Sequence, residues 1–152
     1  KPIQISFNGN VYNEMTGDDG AVSLKINLKN PGSYPISVIF KGDDRYGSAS
    51  KSAKVTVKKQ KPALTIQTKT LKAKSKTKTV KVLFKDQFKK ALSKVTVKIT
   101  LNKKTYTAKT NSKGIASFKV TLKAKKTYMV TAKFSGNKYY DKVSKAGSIK
   151  LK

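Results

Sequence analysis

Lysine is the residue type that offers the most chemistry in this sequence. The 152 residues include 34 lysines, the single arginine Arg45 and seven carboxylates, and the formal charge is +28. So many exposed amines would attract polyanions through long-range electrostatics. The sequence has no His and no Cys, which excludes histidine acid–base chemistry, thiol chemistry and the common zinc sites.

The basic charge is concentrated in one part of the chain. Residues 1–58 carry a net charge of +3, whereas residues 59–152 carry +25. The candidate polyanion-binding residues are lysines that alternate with apolar residues: Lys98, Lys133, Lys150, Lys81, Lys85 and Lys119. An anionic cell-wall polymer, a polysaccharide or a nucleic acid would fit such a surface. The alternative, which we favour, is that these lysines solvate the surface and protect strand edges.

A specific nucleic-acid site is not expected. Such sites usually add arginines and exposed aromatic residues to a basic patch. Here Arg45 is the only arginine, and most aromatic residues share the phase of the apolar positions. Any polyanion binding should therefore be sequence-independent and sensitive to salt.

The carboxylates fall in turns or at strand ends. Gly17-Asp18-Asp19-Gly20 and Gly42-Asp43-Asp44 could supply oxygen ligands to calcium, but Asp and Gly are also the residues that turns favour. Turn formation is the better interpretation, so no metal and no cofactor is expected. Glu14 and Asp86 could assist a Lys–Asn crosslink only if buried, and we expect both to be exposed. Without a histidine base or a glycine-rich phosphate loop, we expect no enzyme.

The chain contains an internal repeat. A shift of 94 residues aligns 1–58 with 95–152 without a gap, and 16 of the 58 pairs are identical. The identical pairs include tyrosines and glycines, such as Tyr34 with Tyr128 and Gly20 with Gly114. Residues 62–94 have no counterpart ahead of Lys1, so the first copy lacks its beginning. We expect a linker over 59–62 between a partial module, 1–58, and a complete one, 63–152.

A period of two runs through both copies and predicts strands with one buried face. In the second copy the pattern predicts seven strands, at about 63–68, 78–85, 95–101, 104–109, 115–121, 128–135 and 147–151. In the first copy it predicts the last five, at about 1–7, 10–15, 21–27, 34–41 and 53–57. Short strands at this spacing indicate tandem antiparallel β-sandwiches. No apolar run exceeds three residues, so neither membrane insertion nor a signal peptide is expected.

The first copy therefore lacks two strands, one of which would lie centrally in its core. A sandwich without a central strand leaves backbone groups and apolar side chains uncovered. We expect residues 1–58 to be completed by strands from upstream residues or from a neighbouring chain of the same protein.

Three stretches resemble bacterial-type Ig-like repeats, in particular those of adhesin-like surface proteins from methanogenic archaea. The first stretch is Asp86–Leu92, the second is Val97–Asn102 with Tyr106–Asn111 and Gly114, and the third is Tyr128–Tyr140. The resemblance covers 62–152 and the matching 1–58. It implies Ig-like β-sandwich modules in an extracellular, wall-associated stalk, adhesin or surface filament. It does not imply a particular ligand.

Overall fold

A computed structural model describes all residues, 1–152, and consists of strands, turns and loops without helices. The strands are β1 (Pro2–Phe7), β2 (Asn10–Met15), β3 (Gly32–Phe40), β4 (Ala49–Val57), β5 (Ala63–Ile66), β6 (Thr70–Leu71), β7 (Lys78–Lys85), β8 (Thr96–Leu101), β9 (Lys104–Lys109), β10 (Ile115–Val120), β11 (Thr127–Phe134) and β12 (Val143–Leu151). The chain divides into two compact units, Lys1–Lys58 and Lys59–Lys152. The fold class predicted from the sequence, all-β with antiparallel sheets, is confirmed.

The second unit is an Ig-like β-sandwich. One sheet has the order β10-β7-β5, and the other has the order β6-β12-β11-β8-β9. All strand pairings are antiparallel except that of β6 with β12, and an isolated bridge between Gln60 and Tyr140 is also parallel. The short strand β6 was not predicted, because two residues are too few to show a period of two. Gln60 also belongs to this unit, since its amide donates to the Tyr139 carbonyl and its carbonyl accepts from the Asp141 amide, both at 2.9 Å.

The core of the second unit is built from the inward-facing residues of both sheets. Val80, Val82 and Phe84 of β7 are completely buried. They meet residues of the other sheet, and the rings of Phe84 and Phe134 lie 4.8 Å apart. Lys81, between Val80 and Val82, is exposed, and so are Thr96, Lys98 and Thr100 at the alternate positions of β8, which is why the alternation predicts the strands correctly.

The first unit has a single sheet, with the order β2-β1-β3-β4. Its pairings repeat those of the second unit at an offset of 94 residues. Gln4 faces Ile39 as Lys98 faces Lys133. The same holds for the β1–β2 pair against β8–β9 and for β3–β4 against β11–β12. The repeat is therefore present in the structure as well as in the sequence, and it includes the register of each strand pair.

The strand predicted over 21–27 is absent, which corrects the sequence analysis. The first unit contains four strands rather than five, and residues 21–27 are irregular. The physical reason lies in the second unit, where the equivalent strand β10 pairs only with β7. The first unit has no counterpart of β7, so residues 21–27 keep the alternating sequence of a strand but have no neighbouring strand to pair with.

The missing sheet leaves one face of the first unit open. The open face consists of the inward-phase side chains Ile3, Ile5, Phe7, Tyr34, Ile36, Val38, Phe40, Val55 and Val57. Only Ile5 and Phe7 are buried. The counterparts of the other seven are all buried in the second unit, so the same apolar pattern is covered in one copy and uncovered in the other.

Candidate functional site

Three of the candidate lysines lie on the outer face of the five-stranded sheet. Lys98 on β8 faces Lys133 on β11, and Lys150 lies on β12 opposite Thr127. All three lysines are exposed. Directly opposed like charges on neighbouring strands are destabilising, so Lys98 and Lys133 repel each other unless an anion screens them. In the first unit the equivalent pair is Gln4 and Ile39, which carries no charge.

The other three candidates lie on the outer face of the three-stranded sheet. Lys81 on β7 faces Ser117 on β10, and Lys119 on β10 faces Thr79 on β7. Lys85 lies at the end of β7 and is half-buried. The two outer faces are on opposite sides of the sandwich, because the sheets pack against each other through their inner faces. The six lysines therefore form two separate groups of three and not a single site.

Neither lysine face is neutralised by a carboxylate of its own unit. The second unit has two carboxylates, Asp86 and Asp141, and neither makes a salt bridge with a lysine. The one ion pair in the chain joins Lys1 to Asp43 in the first unit. The second unit therefore presents nearly all of its positive charge to solvent.

The aspartates of the first unit act as turn residues. The Asp43 carboxylate accepts hydrogen bonds from the Arg45 and Tyr46 amides at 3.0 and 2.9 Å. The Lys1 ammonium group, followed by these amides, holds the pKa of Asp43 below its usual value. Asn137, at the equivalent position of the second unit, accepts from the Tyr139 and Tyr140 amides at 2.9 Å.

The turn over 17–20 is formed in the same way. Asp19 accepts a hydrogen bond from the Ala21 amide at 3.0 Å. Its counterpart region contains Asn111, which accepts from the Lys113 and Ile115 amides at 3.0 Å. Asn137 stands at the position of Asp43, whereas Asn111 lies two positions before the equivalent of Asp19, yet the backbone hydrogen bonds of the 17–20 turn recur at 111–114. The geometry therefore supports turn formation. No cluster of three or more potential metal-ligating side chains occurs in the structure.

Asp86 corrects the expectation that carboxylates at strand ends are exposed. Only 7% of its surface is accessible. The loop after β7 folds back, and the carboxylate accepts hydrogen bonds from the Phe88 and Lys90 amides, both at 2.9 Å. Burial raises the pKa of the nearby Tyr140, and the charge of Asp86 adds to the effect. Asp86 thus stabilises a loop. Glu14 is half-buried.

Two tyrosines form the same hydrogen bond in the two units. Tyr34 donates its hydroxyl to the Asn30 carbonyl at 2.7 Å, and Tyr128 donates to the Ala124 carbonyl at 2.8 Å. A tyrosine that bonds to the backbone a few residues upstream is the tyrosine corner of Ig-like sandwiches. Its presence in both units supports the structural equivalence of the two copies.

A pair of contacts that the sequence analysis missed fixes the first residue of the aligned stretch in each copy, Lys1 and Val95. The Thr110 amide donates to the Val95 carbonyl at 2.9 Å, and the Thr110 hydroxyl oxygen accepts from the Val95 nitrogen at 3.0 Å. In the first unit the Thr16 amide donates to the Lys1 carbonyl at 3.0 Å, and the Thr16 hydroxyl accepts from the Lys1 nitrogen at 2.7 Å. The signal was the identical pair Thr16 and Thr110 in the repeat.

Comparison with known proteins gives fold similarities of low score. No protein-family model and no curated protein matches the chain. The chain is similar to part of a Ca²⁺-stabilised adhesin with which an Antarctic bacterium binds ice, at 16% identity and a TM-score of 0.38, over 99% of this chain and 40% of that one. It is also similar to domains 4 and 5 of the S-layer protein SbsC, at 21% identity and a TM-score of 0.39, over 98% and 70%.

Enzymes occur among the similar structures as well. A β-glycosidase from Bacteroides vulgatus matches at 10% identity and a TM-score of 0.39, over 98% of this chain and 21% of the enzyme. The chain spans about half or less of the two ice-binding adhesins among these structures, 40% and 52% of their lengths. Because all these TM-scores lie below 0.5, the fold is assigned from the sheets and registers of the chain itself. No helix in the structure could span a membrane.

Proposed function

We propose that this chain is a structural and adhesive segment of an extracellular surface protein, in which tandem Ig-like modules form a stalk, adhesin or filament. The observation that carries the proposal is the repeat itself: the strand registers of the first sheet recur 94 residues later. Repetition of one β-module along a chain lengthens a protein in equal increments, which suits a spacer better than a catalyst. The proposed role is mechanical and not enzymatic.

The resemblance noted in the sequence supports a finer version of this proposal. The three stretches named above, which begin at Asp86, Val97 and Tyr128, resemble the repeats of adhesin-like surface proteins from methanogenic archaea. On this proposal the chain works at the cell surface, and its modules space a binding tip or a wall anchor outward. It needs no cofactor, and its partners are neighbouring modules or chains of the same protein.

Single-molecule force spectroscopy on the full chain tests the mechanical role. A cooperative spacer module should unfold in one discrete event. The unit Lys59–Lys152 should release about 300 Å of contour length, at roughly 3.3–3.6 Å per extended residue. Gradual extension without a discrete event of that length would contradict the proposal.

Binding of an anionic wall polymer through the lysine faces is a second candidate function. The observation that favours it is the pair Lys98 and Lys133, which face each other without a carboxylate to neutralise them. A polyanion lying across β8 and β11 would relieve this repulsion. Saturable, salt-sensitive binding that requires these lysines is the expected signature.

Assembly of a filament by strand complementation is a third candidate, and it uses the open face of the first unit. The observation that favours it is the set of apolar side chains there that are buried only in the second unit. Concentration-dependent association of the isolated chain, measured by sedimentation, would support it. A monomer at all concentrations would count against it.

A further inference from the structure

We propose that the open face of the first unit binds a pair of strands of the same type as residues 62–94. These strands belong to the same polypeptide and lie on the N-terminal side of Lys1. We call this strand pair the donor segment. When it binds, residues 21–26 become a strand paired with it. The inference rests on the proposed modular function and specifies the partner of the first unit, the register of pairing and the direction from which the partner arrives.

The second unit provides the template for this pairing. Its strand β10 pairs antiparallel with β7, from Ile115 opposite Leu83 to Val120 opposite Lys78. The residues equivalent to β10 are 21–26. Their side chains alternate between exposed and half-buried, as those of a strand do, but no neighbouring strand pairs with them. A donor strand equivalent to β7 would give 21–26 the hydrogen bonds that β10 has.

The open face consists of residues that form one half of the hydrophobic core in the second unit. Ile36, Val38 and Phe40 of β3 are half-buried, whereas their counterparts Val130, Ala132 and Phe134 are 1%, 0% and 6% exposed. In the second unit the side chains that cover these positions include Phe84, whose ring packs on that of Phe134. The donor segment would place an equivalent aromatic ring on Phe40 and bury apolar surface that is now exposed.

The first residue of the unit is held in the position needed for delivery in cis. Thr16 holds the nitrogen and carbonyl of Lys1 as Thr110 holds those of Val95. In the second unit the chain arrives at Val95 directly from residues 62–94, and the amide of Lys94 donates to the Thr110 carbonyl at 2.8 Å. A residue joined ahead of Lys1 would have the same acceptor in the Thr16 carbonyl. The attachment point thus already has the geometry of a continuing chain.

Local charge complementarity at one turn also favours this occupant. Residues 62–94 contain ten lysines and one aspartate, and, although the first unit has a net charge of +3, two of its five carboxylates lie together in the turn over 17–20. In the second unit the turn at Gly114 lies against the end of β7 and the loop after it, since a Cβ at Gly114 would lie 2.6 Å from the Phe84 carbonyl and 3.2 Å from Ala91. The equivalent turn of the first unit carries Asp18 and Asp19, which would face the lysines around that end of the donor segment.

A second copy of this chain is a poorer source. Its own residues 62–94 are already used, because Val80, Val82 and Phe84 are completely buried in the core of the second unit. If these residues paired with a neighbouring chain instead, the core of their own second unit would be exposed while the first unit of the neighbour was covered. The donor segment must therefore come from a stretch that is not part of a closed module.

The test is a chain in which a copy of residues 62–94 is fused ahead of Lys1. Amide hydrogen exchange should show new protection at alternate amides of residues 21–26, by at least tenfold over the unfused chain, and the unfolding transition of the first unit should move to a higher temperature. The matched control is a fused copy carrying V80K and F84K, which keeps the length but cannot enter an apolar core. It should give neither effect.

The outcomes separate this inference from the mechanical proposal. Protection with the native copy and none with the control supports the inference. Absence of protection with both, or equal protection with both, overturns it. If the free 62–94 peptide at micromolar concentration gives the same protection as the fused copy, the assignment to delivery in cis is wrong. If the fused copy protects residues 21–26 but force spectroscopy shows no discrete event, the docking is correct and the spacer function fails.

Discussion

Gly114 and the carbonyl of Phe84 lie in direct contact, and a Cβ added at Gly114 would lie 2.6 Å from that oxygen. The Gly114 carbonyl in turn accepts a hydrogen bond from the Phe84 amide at 2.7 Å. The equivalent glycine of the first unit, Gly20, has nearly the same φ, +77° against +75°, but a Cβ added there would have nothing within 4 Å. The two glycines thus share a backbone conformation and differ in what packs against them.

Alanine substitutions at these glycines should therefore differ in their effect. Both changes force a non-glycine residue into the left-handed region, which costs about 1–2 kcal/mol. Gly114→Ala adds a clash with the backbone of β7, which lowers the free energy of unfolding by a further ~1–3 kcal/mol. Chemical denaturation of each variant measures both decreases in the free energy of unfolding. Equal losses at the two positions would show that β7 does not approach Gly114 as described.

Phe134 and Phe40 provide a second matched pair. Phe134 is 6% exposed and packs on Phe84, so Phe134→Ala should destabilise the second unit by about 3–5 kcal/mol. Phe40 is half-buried on the open face, so Phe40→Ala should cost roughly half as much or less, because less apolar area is lost from the folded state. Thermal unfolding of the two variants tests the difference. A loss at Phe40 as large as that at Phe134 would mean that the open face is already covered.

The first unit should lose stability in acid through Asp43. The pKa of Asp43 is lowered in the folded state from its ordinary value of 3.8. Its ionised form therefore stabilises the fold at pH values above 3.8, and this contribution is lost as the pH falls through the lowered pKa. In Asp43→Asn the turn should persist, because Asn137 makes the same pair of backbone hydrogen bonds. The loss of stability at acid pH that is due to Asp43 should be absent from this variant. Free energies of unfolding measured across the pH range for both proteins test this.

The lysine faces can be tested with charge-neutral variants. The double variant Lys98→Gln and Lys133→Gln removes the opposed pair, and it should be neutral or slightly stabilising, by a few tenths of a kcal/mol up to about 1 kcal/mol. If the five-stranded face binds polyanions, the variant should also weaken binding of dextran sulfate at low salt. Lys81→Gln with Lys119→Gln is the matched control on the other face. Equal weakening by both pairs would indicate binding to net charge and not to one face.

Apart from the two-residue β6, the sequence predicted the strands wherever a strand has its partner within the chain. The alternation around Val97, Ile99 and Leu101 became β8, and the same alternation in Ile3, Ile5 and Phe7 became β1. The alternation at 21–27 is just as regular and did not become a strand. A period of two reports which face of a segment would be buried, but hydrogen bonding to a neighbouring strand is a tertiary condition that no local pattern contains.

The positions of the candidate lysines could also be predicted only in part. Their outward phase was predictable, because each alternates with apolar residues. Their division between two opposite faces was not, since it depends on which strands share a sheet. The burial of Asp86 also could not be read from its position at a strand end, because it follows from the fold-back of the loop that carries Phe88 and Lys90.

Site-resolved amide hydrogen exchange on the chain as it stands tests the central claim most directly, namely that two copies of one module differ in having or lacking a sheet. Alternate amides of Ile115–Val120, which pair with β7, should exchange slowly. Amides over 22–26 should exchange at rates close to those of an unstructured peptide, although β1, β3 and β4 of the same unit are protected. Slow exchange over 22–26, matching that over 116–120, would contradict the claim.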